Sequence, residues 1–361
     1  MSLTRFGISH FRNINQADIE PSSNLNLIIG NNASGKTSVL EAIYFLGRAS
    51  SFRTRHFERV IQKGQQSLSV YASKKSKNGQ IVSFGLQKDT KKVQIRINEQ
   101  KINKVSELVV NMPLQVIHPN SHQLLEEGPR HRRRFLDWGV FHVEQSFYPA
   151  WQRYQRALKQ RNSCLRNHSG KQLVQSWDKE LIESGNILNL SRQKYVDELQ
   201  ANLYDYTRPV LGDMEISLRY KNGWNKDLSF SDALKRAIND DQDRGFTTVG
   251  PQRADIAILA DGVLANERIS RGQQKILVTG LLLSQAGLYN KKTENRCILL
   301  IDDVAAELDP ANREKLLNVL NRMKVQMFLT SIEKQTLAPL LEKTTPRKMF
   351  HVEHGNLTEV V

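Results

Sequence analysis

The stretch that most restricts the fold lies at residues 26–46. There an apolar run (Leu27, Ile28, Ile29) enters a loop reading G-x-x-x-x-G-K-T and leaves it into a helix-period segment with Val39, Leu40, Ile43 and Leu46 on one side. This strand–loop–helix pattern is a phosphate-binding loop. A triphosphate concentrates negative charge, so it demands converging backbone N–H groups and a helix N-terminus, which side chains at Gly30 and Gly35 would obstruct. The expected nucleotide contacts are Gly30, Asn31, Asn32, Ala33, Ser34, Gly35, Lys36, Thr37 and Ser38. Lys36 is placed to meet the β- and γ-phosphates as a point charge, and the Thr37 hydroxyl to ligate Mg²⁺.

A second run, Ile298 to Asp303, is apolar until it ends in two carboxylates. An all-apolar strand is buried on both faces, as in a parallel sheet, and ligands of such sheets sit at the carboxyl ends of the strands. Asp302 is therefore the expected second Mg²⁺ ligand, and Asp303 the residue that orients or deprotonates an attacking water. Upstream, Ser270-Arg271-Gly272-Gln273-Gln274 leads into an apolar helical run, with Ser270 as a natural N-cap and Gly272 leaving N–H groups open to an anion.

Charge sets the partner class. With 52 Lys+Arg against 37 Asp+Glu in 361 residues the net charge is +15, and the pI is about 9.7, a field suited to polyanions. No apolar run reaches the roughly 18 residues that span a bilayer, and charged residues stand where a signal peptide would be apolar, so the expectation is a cytoplasmic chain without a membrane partner. Cys164 and Cys297 lack metal-ligand spacing and read as reduced, structural thiols.

Along the chain, Leu3, Phe6, Ile8 and Phe11, then Ile14, Ala17 and Ile19, alternate as strands, with Arg12 at the turn between them. Residues 67–103 alternate cleanly (Leu68, Val70, Ala72; Val82, Phe84, Leu86; Val93, Ile95, Ile97), which predicts an antiparallel sheet with one wet face. From about 120 to 210 the pattern is helical, with long helices over 144–166 and 172–206. No strict heptad is sustained, so a long coiled coil is not expected. The runs Arg130-His131-Arg132-Arg133-Arg134 and Arg153, Arg156, Lys159, Arg161 suit either a solvated helix face or phosphate contacts, and Arg130, Arg132, Arg133, Arg153 and Arg156 are the candidate DNA contacts.

Phosphate loop, S-x-G-Q-Q and I-L-L-I-D-D followed by Ala306-Glu307-Leu308-Asp309 stand in the order of ABC-type ATPase heads. With F-R-N at 11–13, S-F-R-T at 51–54, E-G-P-x-x-R-R-x-F-L-D-W-G at 127–139 and G-P-Q-R-A-D at 250–255, the chain resembles the RecF family of bacterial recombination and repair proteins. That resemblance implies an SMC-type α/β head without the long coiled coil, in which two copies sandwich two ATP molecules. By the same resemblance Ser270, Gly272 and Gln273 complete the partner's site, Asp309 lies at the dimer interface, and Arg12 reaches the nucleotide. It also implies binding of single- and double-stranded DNA at gaps or junctions, and loading of RecA with RecO and RecR in repair, replication and the SOS response.

Departures from the family pattern carry expectations of their own. Ala33 replaces a usual Gly, so a left-handed backbone there is not cheap. Gln252 replaces a usual His and receives no role. Asp303 replaces a usual Glu, and its shorter reach predicts slow hydrolysis, a weak DNA-stimulated ATPase used as a switch. The glutamine that senses Mg²⁺ is either Gln115 or Gln123. The expected architecture is an ABC-type head of phosphate loop, mixed sheet and antiparallel β lobe, built from 1–118 and 246–361, with a mostly helical lobe at 119–245. The nucleotide-binding subunit of a membrane transporter shares the three motifs, but has no need of a basic lobe.

Overall fold

The computed structural model describes residues 2–76, 78–293, 295–303, 308–332 and 335–360. Strands β1 (Ser2–Phe11) and β2 (Ile14–Ile19) run antiparallel across a turn, followed by β3 (Leu25–Ile29) and helix α1 (Lys36–Arg48). The alternating stretch forms β4 (Ser67–Lys75), β5 (Ile81–Asp89), β6 (Val93–Ile97) and β7 (Gln100–Ile102), each antiparallel to the last. Leu68, Val70, Ala72, Phe84, Leu86 and Ile95 are buried, so period two delivers one apolar face as expected. Helix α2 (Val105–Asn111) and strand β8 (Leu114–Ile117) follow.

Helices then dominate: α3 (Gln123–Glu126), α4 (Pro129–Val143), α5 (Phe147–Arg166), α6 (Lys171–Gln175) and the 34-residue α7 (Asp178–Leu211). Strand β9 (Ile216–Lys221) and helix α8 (Phe230–Arg244) precede β10 (Asp255–Ala260), β11 (Val263–Leu264), α9 (Ala265–Arg268) and α10 (Arg271–Lys292). The chain ends with β12 (Ile298–Asp302), α11 (Pro310–Arg322), β13 (Met327–Ser331), α12 (Ala338–Lys343), β14 (Arg347–Glu353) and β15 (Asn356–Val360).

Two compact units result, Met1–Ser121 with Tyr289–Val361, and His122–Leu288. In the first, an antiparallel sheet of order β2-β1-β4-β5-β6-β7 is joined by a sheet of order β15-β14-β3-β13-β12-β8, parallel throughout except for β15. Helix α1 lies between them. Its Val39, Leu40, Ala42, Ile43, Phe45 and Leu46 share one core with Phe6 and Phe11 of β1 and with Ile28, Leu300 and Phe328 of the parallel strands, which is why α1 is apolar on nearly every side. Contact is close enough that a Cβ on Gly47 would stand 2.2 Å from Leu114 Cδ1 of β8.

In the second unit α4, α5 and α7 enclose a core with Leu136, Val140, Tyr154, Leu188, Tyr195 and Leu199. Its boundaries differ from those expected at 118 and 245. Residues 246–288 belong to this unit because β10 pairs with β9 from Asp255↔Lys221 to Ala260↔Ile216. Ile256, Ile258, Leu277 and Leu281 then enter the same core. Buried arginines knit it further: Arg161, fully enclosed, donates to Asp178 at 2.8 Å and to Asp241 at 2.6 Å, and Arg192 grips Asp137 at 2.8 and 3.0 Å. Arg161 is thus a core residue, not part of a solvated basic face.

Candidate functional site

The phosphate loop leaves β3 at Gly30 and turns into α1 through Ala33 (φ 61°) and Gly35 (φ 123°). Glycine is required by space as well as by angle, since a Cβ at Gly30 would lie 2.4 Å from the Val352 carbonyl oxygen. Ala33 does adopt the left-handed backbone that its side chain makes costly, at about 1 kcal/mol. Asn31 and Asn32 are exposed and Ser34 half-buried. The Lys36 ammonium donates to the carbonyls of Gly30 at 2.8 Å and Asn31 at 2.9 Å. Burial draws its pKa down, and the neighbouring Asp303 and Asp302 oppose that shift.

Thr37 and Asp302 meet as their spacing predicts. The Thr37 hydroxyl lies 2.8 Å from Asp302 Oδ1 and 3.1 Å from Oδ2, at the carboxyl end of the parallel strands. Parallel register aligns Asp302 with Thr330 of β13, whose Oγ1 donates to Asp302 Oδ1 at 2.9 Å and accepts from the Asp303 N–H at 2.9 Å. Asp303 itself has φ 49°. A hydroxyl and a carboxylate at this separation are hard oxygen donors of the kind Mg²⁺ takes, one or two from protein with the rest from water and phosphate. No cluster of three or more metal-ligating His, Cys, Asp or Glu occurs among the described residues. Thr330 was not anticipated; its only signal is a hydroxyl ending the apolar strand Met327–Ser331.

Arg12 stands beside this loop in a cluster that motif reading missed. Its guanidinium forks onto Glu41 of α1, with Nε to Oε2 at 2.9 Å and Nη2 to Oε1 at 2.7 Å, and Nη1 donates to the Arg59 carbonyl at 2.7 Å. Glu41 is wholly buried and also receives Ser51 Oγ at 2.5 Å and Arg53 Nη1 at 3.4 Å. The next residue, Asn13, donates to the Ser34 carbonyl at 2.9 Å and accepts from Ser38 Oγ at 2.9 Å. The F-R-N turn therefore braces the phosphate loop from the β1–β2 side.

The other motifs fall as follows. Ser270 and Gln273 form a reciprocal cap at the start of α10: the Ser270 N–H donates to Gln273 Oε1 at 3.0 Å, and Ser270 Oγ accepts from the Gln273 N–H at 3.3 Å. Ser270, Gly272 and Gln273 are exposed, and they belong to the second unit. Asp309 caps α11 through the Asn312 N–H at 3.0 Å, a bond that holds its carboxyl below the usual range. Ala306 and Glu307 lie outside the described residues. Gln115 pairs with Leu299 within the sheet, short of the strand ends where Asp302 sits, whereas Gln123 lies beyond β8, at the first residue of α3.

The basic candidates separate. Arg132 is bound to Asp255 at 2.8 and 3.0 Å, Arg133 donates to the Ala254 carbonyl at 2.8 Å, and Arg153 pairs with Glu180 at 2.5 Å and Glu183 at 3.3 Å. All three therefore have partners within their own unit, Arg153 at the surface with 47% of its side chain exposed. Arg130, Arg134 and Arg156 are exposed. Gln252 bonds the buried Tyr154 hydroxyl through Oε1 and the Val249 carbonyl through Nε2 at 2.9 Å, so it shapes its own loop.

A phosphate loop, a carboxylate-ended strand in a largely parallel sheet, an antiparallel β lobe and a capped S-x-G-Q helix together define a head of the ABC ATPase class. No helix among the described residues is long and apolar enough to cross a membrane. The family description RecF/RecN/SMC N terminal domain matches residues 2–357. The chain is 39% identical to the DNA replication and repair protein RecF of Pseudomonas paraeruginosa, covering 99% of this chain and 98% of that one. It is 40% identical to that of Shewanella woodyi, over 100% and 98%. In fold it resembles a recombination mediator protein RecF-ATP structure (TM-score 0.88, 23% identity, 100% and 98% covered) and, more distantly, an Smc head bound to the C-winged helix domain of ScpA (0.62, 13%, 100% and 98%). The chain belongs to the RecF family.

Proposed function

We propose that this chain is an ATP-controlled DNA-binding protein of recombinational repair and replication-fork maintenance. The observation that carries it is the contact of Thr37 with Asp302, which sets the phosphate loop against the acidic end of β12. Lys36 and the loop N–H groups hold the triphosphate, and Asp303 orients the attacking water through its short side chain. Thr37 and Asp302 would hold Mg²⁺, which would neutralise charge that develops on the phosphates. Hydrolysis is slow, DNA-stimulated and used as a switch.

ATP closes a homodimer in which Ser270, Gly272 and Gln273 of one copy meet the γ-phosphate on the other, with Asp309 at the interface. The unit of residues 1–121 and 289–361 acts as the body that holds ATP, and the largely helical unit of 122–288 carries the S-x-G-Q segment. The +15 charge gives affinity for single- and double-stranded DNA at gaps or junctions. Membership of the RecF family, which includes a recombination mediator protein RecF of the RecFOR pathway, supports RecR as direct partner and RecO and RecA as indirect ones, in the cytoplasm.

Three measurements test this reading. Lys36→Ala is expected to abolish ATP binding; equal affinity in the variant and the parent refutes the nucleotide assignment. Ser270→Ala is expected to bind ATP as a monomer yet form no ATP-induced dimer in light scattering. DNA retention that falls with salt separates this reading from a transporter subunit.

A further inference from the structure

The last hairpin of the chain belongs to none of the nucleotide motifs, yet it lies against the phosphate loop. Parallel pairing of β14 with β3 runs through Phe350↔Ile28 to His351↔Ile29, so Val352 is next in register beside Gly30, where the loop begins. At the loop's other end, a Cβ on Gly35 would lie 3.3 Å from Val352 Cγ1. Strand β15 returns antiparallel from Glu353↔Asn356. His354 (φ 47°) and Gly355 (φ 79°) are left as a two-residue turn with both backbones left-handed, the form that matches the twist of the strands.

Gly355 is buried and reaches the loop itself. Its N–H donates to the Ser34 carbonyl at 3.3 Å, and Asn13 Nδ2 donates to the same oxygen at 2.9 Å. One loop carbonyl is thus held by two donors, from the β1–β2 turn and from the C-terminal hairpin. The fit is close: a Cβ on Gly355 would lie 2.0 Å from the Asn13 carbonyl oxygen. The Ser34–Gly35 peptide is planar and trans, so its N–H points opposite to its carbonyl. Fixing the Ser34 oxygen on the braced side therefore fixes the Gly35 N–H on the other. A phosphate loop works through such N–H groups converging on the anion, with the carbonyls turned away.

We propose that the His354–Gly355 turn is part of the nucleotide site, with Gly355 a positioning residue that acts through Ser34 on the phosphate contacts of the loop. This rests on the ATP-binding reading above and adds to it an element from the opposite end of the chain. Glycine meets two needs there, the left-handed angle and the absence of a Cβ. ATP then meets a loop already set by its braces, so less of the binding free energy goes into ordering backbone.

The test uses the full chain, titration with a fluorescent ATP analogue, steady-state ATPase kinetics and thermal melting. Gly355→Ala is expected to weaken ATP binding roughly tenfold, the worth of one well-made hydrogen bond, and to raise KM for ATP with kcat little changed. Gly355→Asn tolerates the left-handed angle but carries the Cβ, so it is expected to lose as much affinity while melting closer to the parent. Gly79, in the β4–β5 turn, has φ 81° and no neighbour within 4 Å of a Cβ. Gly79→Ala therefore imposes the same angular strain without the contact, and is expected to keep the parent's ATP affinity. Parent-like ATP affinity in Gly355→Ala or in Gly355→Asn overturns the proposal, as does a Gly79→Ala variant that loses ATP as strongly, since the loss then follows strain and not contact. Should the parent bind no ATP, the nucleotide reading itself falls and this proposal with it.

Discussion

Replacing Glu41 by alanine removes a carboxylate with a side-chain exposure of 0% that holds Arg12, whose side chain is 19% exposed, by two charge-assisted bonds. Arg53 adds little at 3.4 Å and 47% exposure, since such a pair is largely screened. Deleting one partner of a buried pair typically costs about 3–5 kcal/mol, because the other charge is left enclosed and unanswered. Ser51 also loses its acceptor, and through Ser51 Oγ the N–H groups of Arg53 (2.9 Å) and Thr54 (3.0 Å) lose their anchor. For a unit of this size the melting temperature should fall by about 10 °C, measurable by circular dichroism. Because Asn13, next to Arg12, bonds Ser34 of the phosphate loop, ATP affinity should fall with it. Arg12→Met combined with Glu41→Leu should recover most of the loss, as paired apolar replacements often do. A cost below about 1 kcal/mol for Glu41→Ala, or a double variant no better than the single one, would refute the assignment of Glu41 as the brace of this turn.

Ala33→Gly should gain about 0.5 kcal/mol by relieving the left-handed alanine, with ATP affinity retained; a lower melting temperature would show that the loop does not carry this strain. Lys74 of β4 is buried with its ammonium 2.6 Å from the Asn111 carbonyl, and burial lowers its pKa from 10.5 to about 8. The unfolded chain then holds the proton up to a higher pH than the folded one, so this group makes stability rise between pH 8 and 10.5. The advantage of Lys74→Met over the parent in urea melts should therefore shrink by about 2–3 kcal/mol from pH 7 to pH 10, and an equal difference at the two pH values would contradict it. Arg132→Ala should cost about 2–4 kcal/mol by orphaning half-buried Asp255, seen as a lower melting temperature even without DNA; loss of DNA affinity at unchanged stability would restore its reading as a phosphate contact.

Local patterns carried much of this molecule. The Gly30–Thr37 loop, the alternation of Leu68, Val70 and Ala72, and the carboxylate end of Ile298–Asp302 are each complete within a short stretch, so their geometry was legible. Interactions across long separations were not. Arg132 and Asp255 lie 123 residues apart and Arg161 and Asp241 80 apart, so a basic run gave no sign that its members were already neutralised. Unit membership of 246–288 depends on β9 and β10 pairing around α8, which alternation within either strand does not encode. Glu41 was hidden in plain view, since a glutamate on an apolar helix looks like an ordinary solvated position until the Arg12 turn and the Ser51–Arg53 stretch converge on it.

The hydroxyl of Thr330 gives a proton to one acidic residue's side chain and takes one from the main chain of the next. Only serine or threonine can do that from this strand, so valine of the same shape would disturb Asp302 and Asp303 in a single stroke. A lineage that altered this position would have to reinvent the pair together, which makes an otherwise anonymous strand residue a gatekeeper of how the chemistry can diverge.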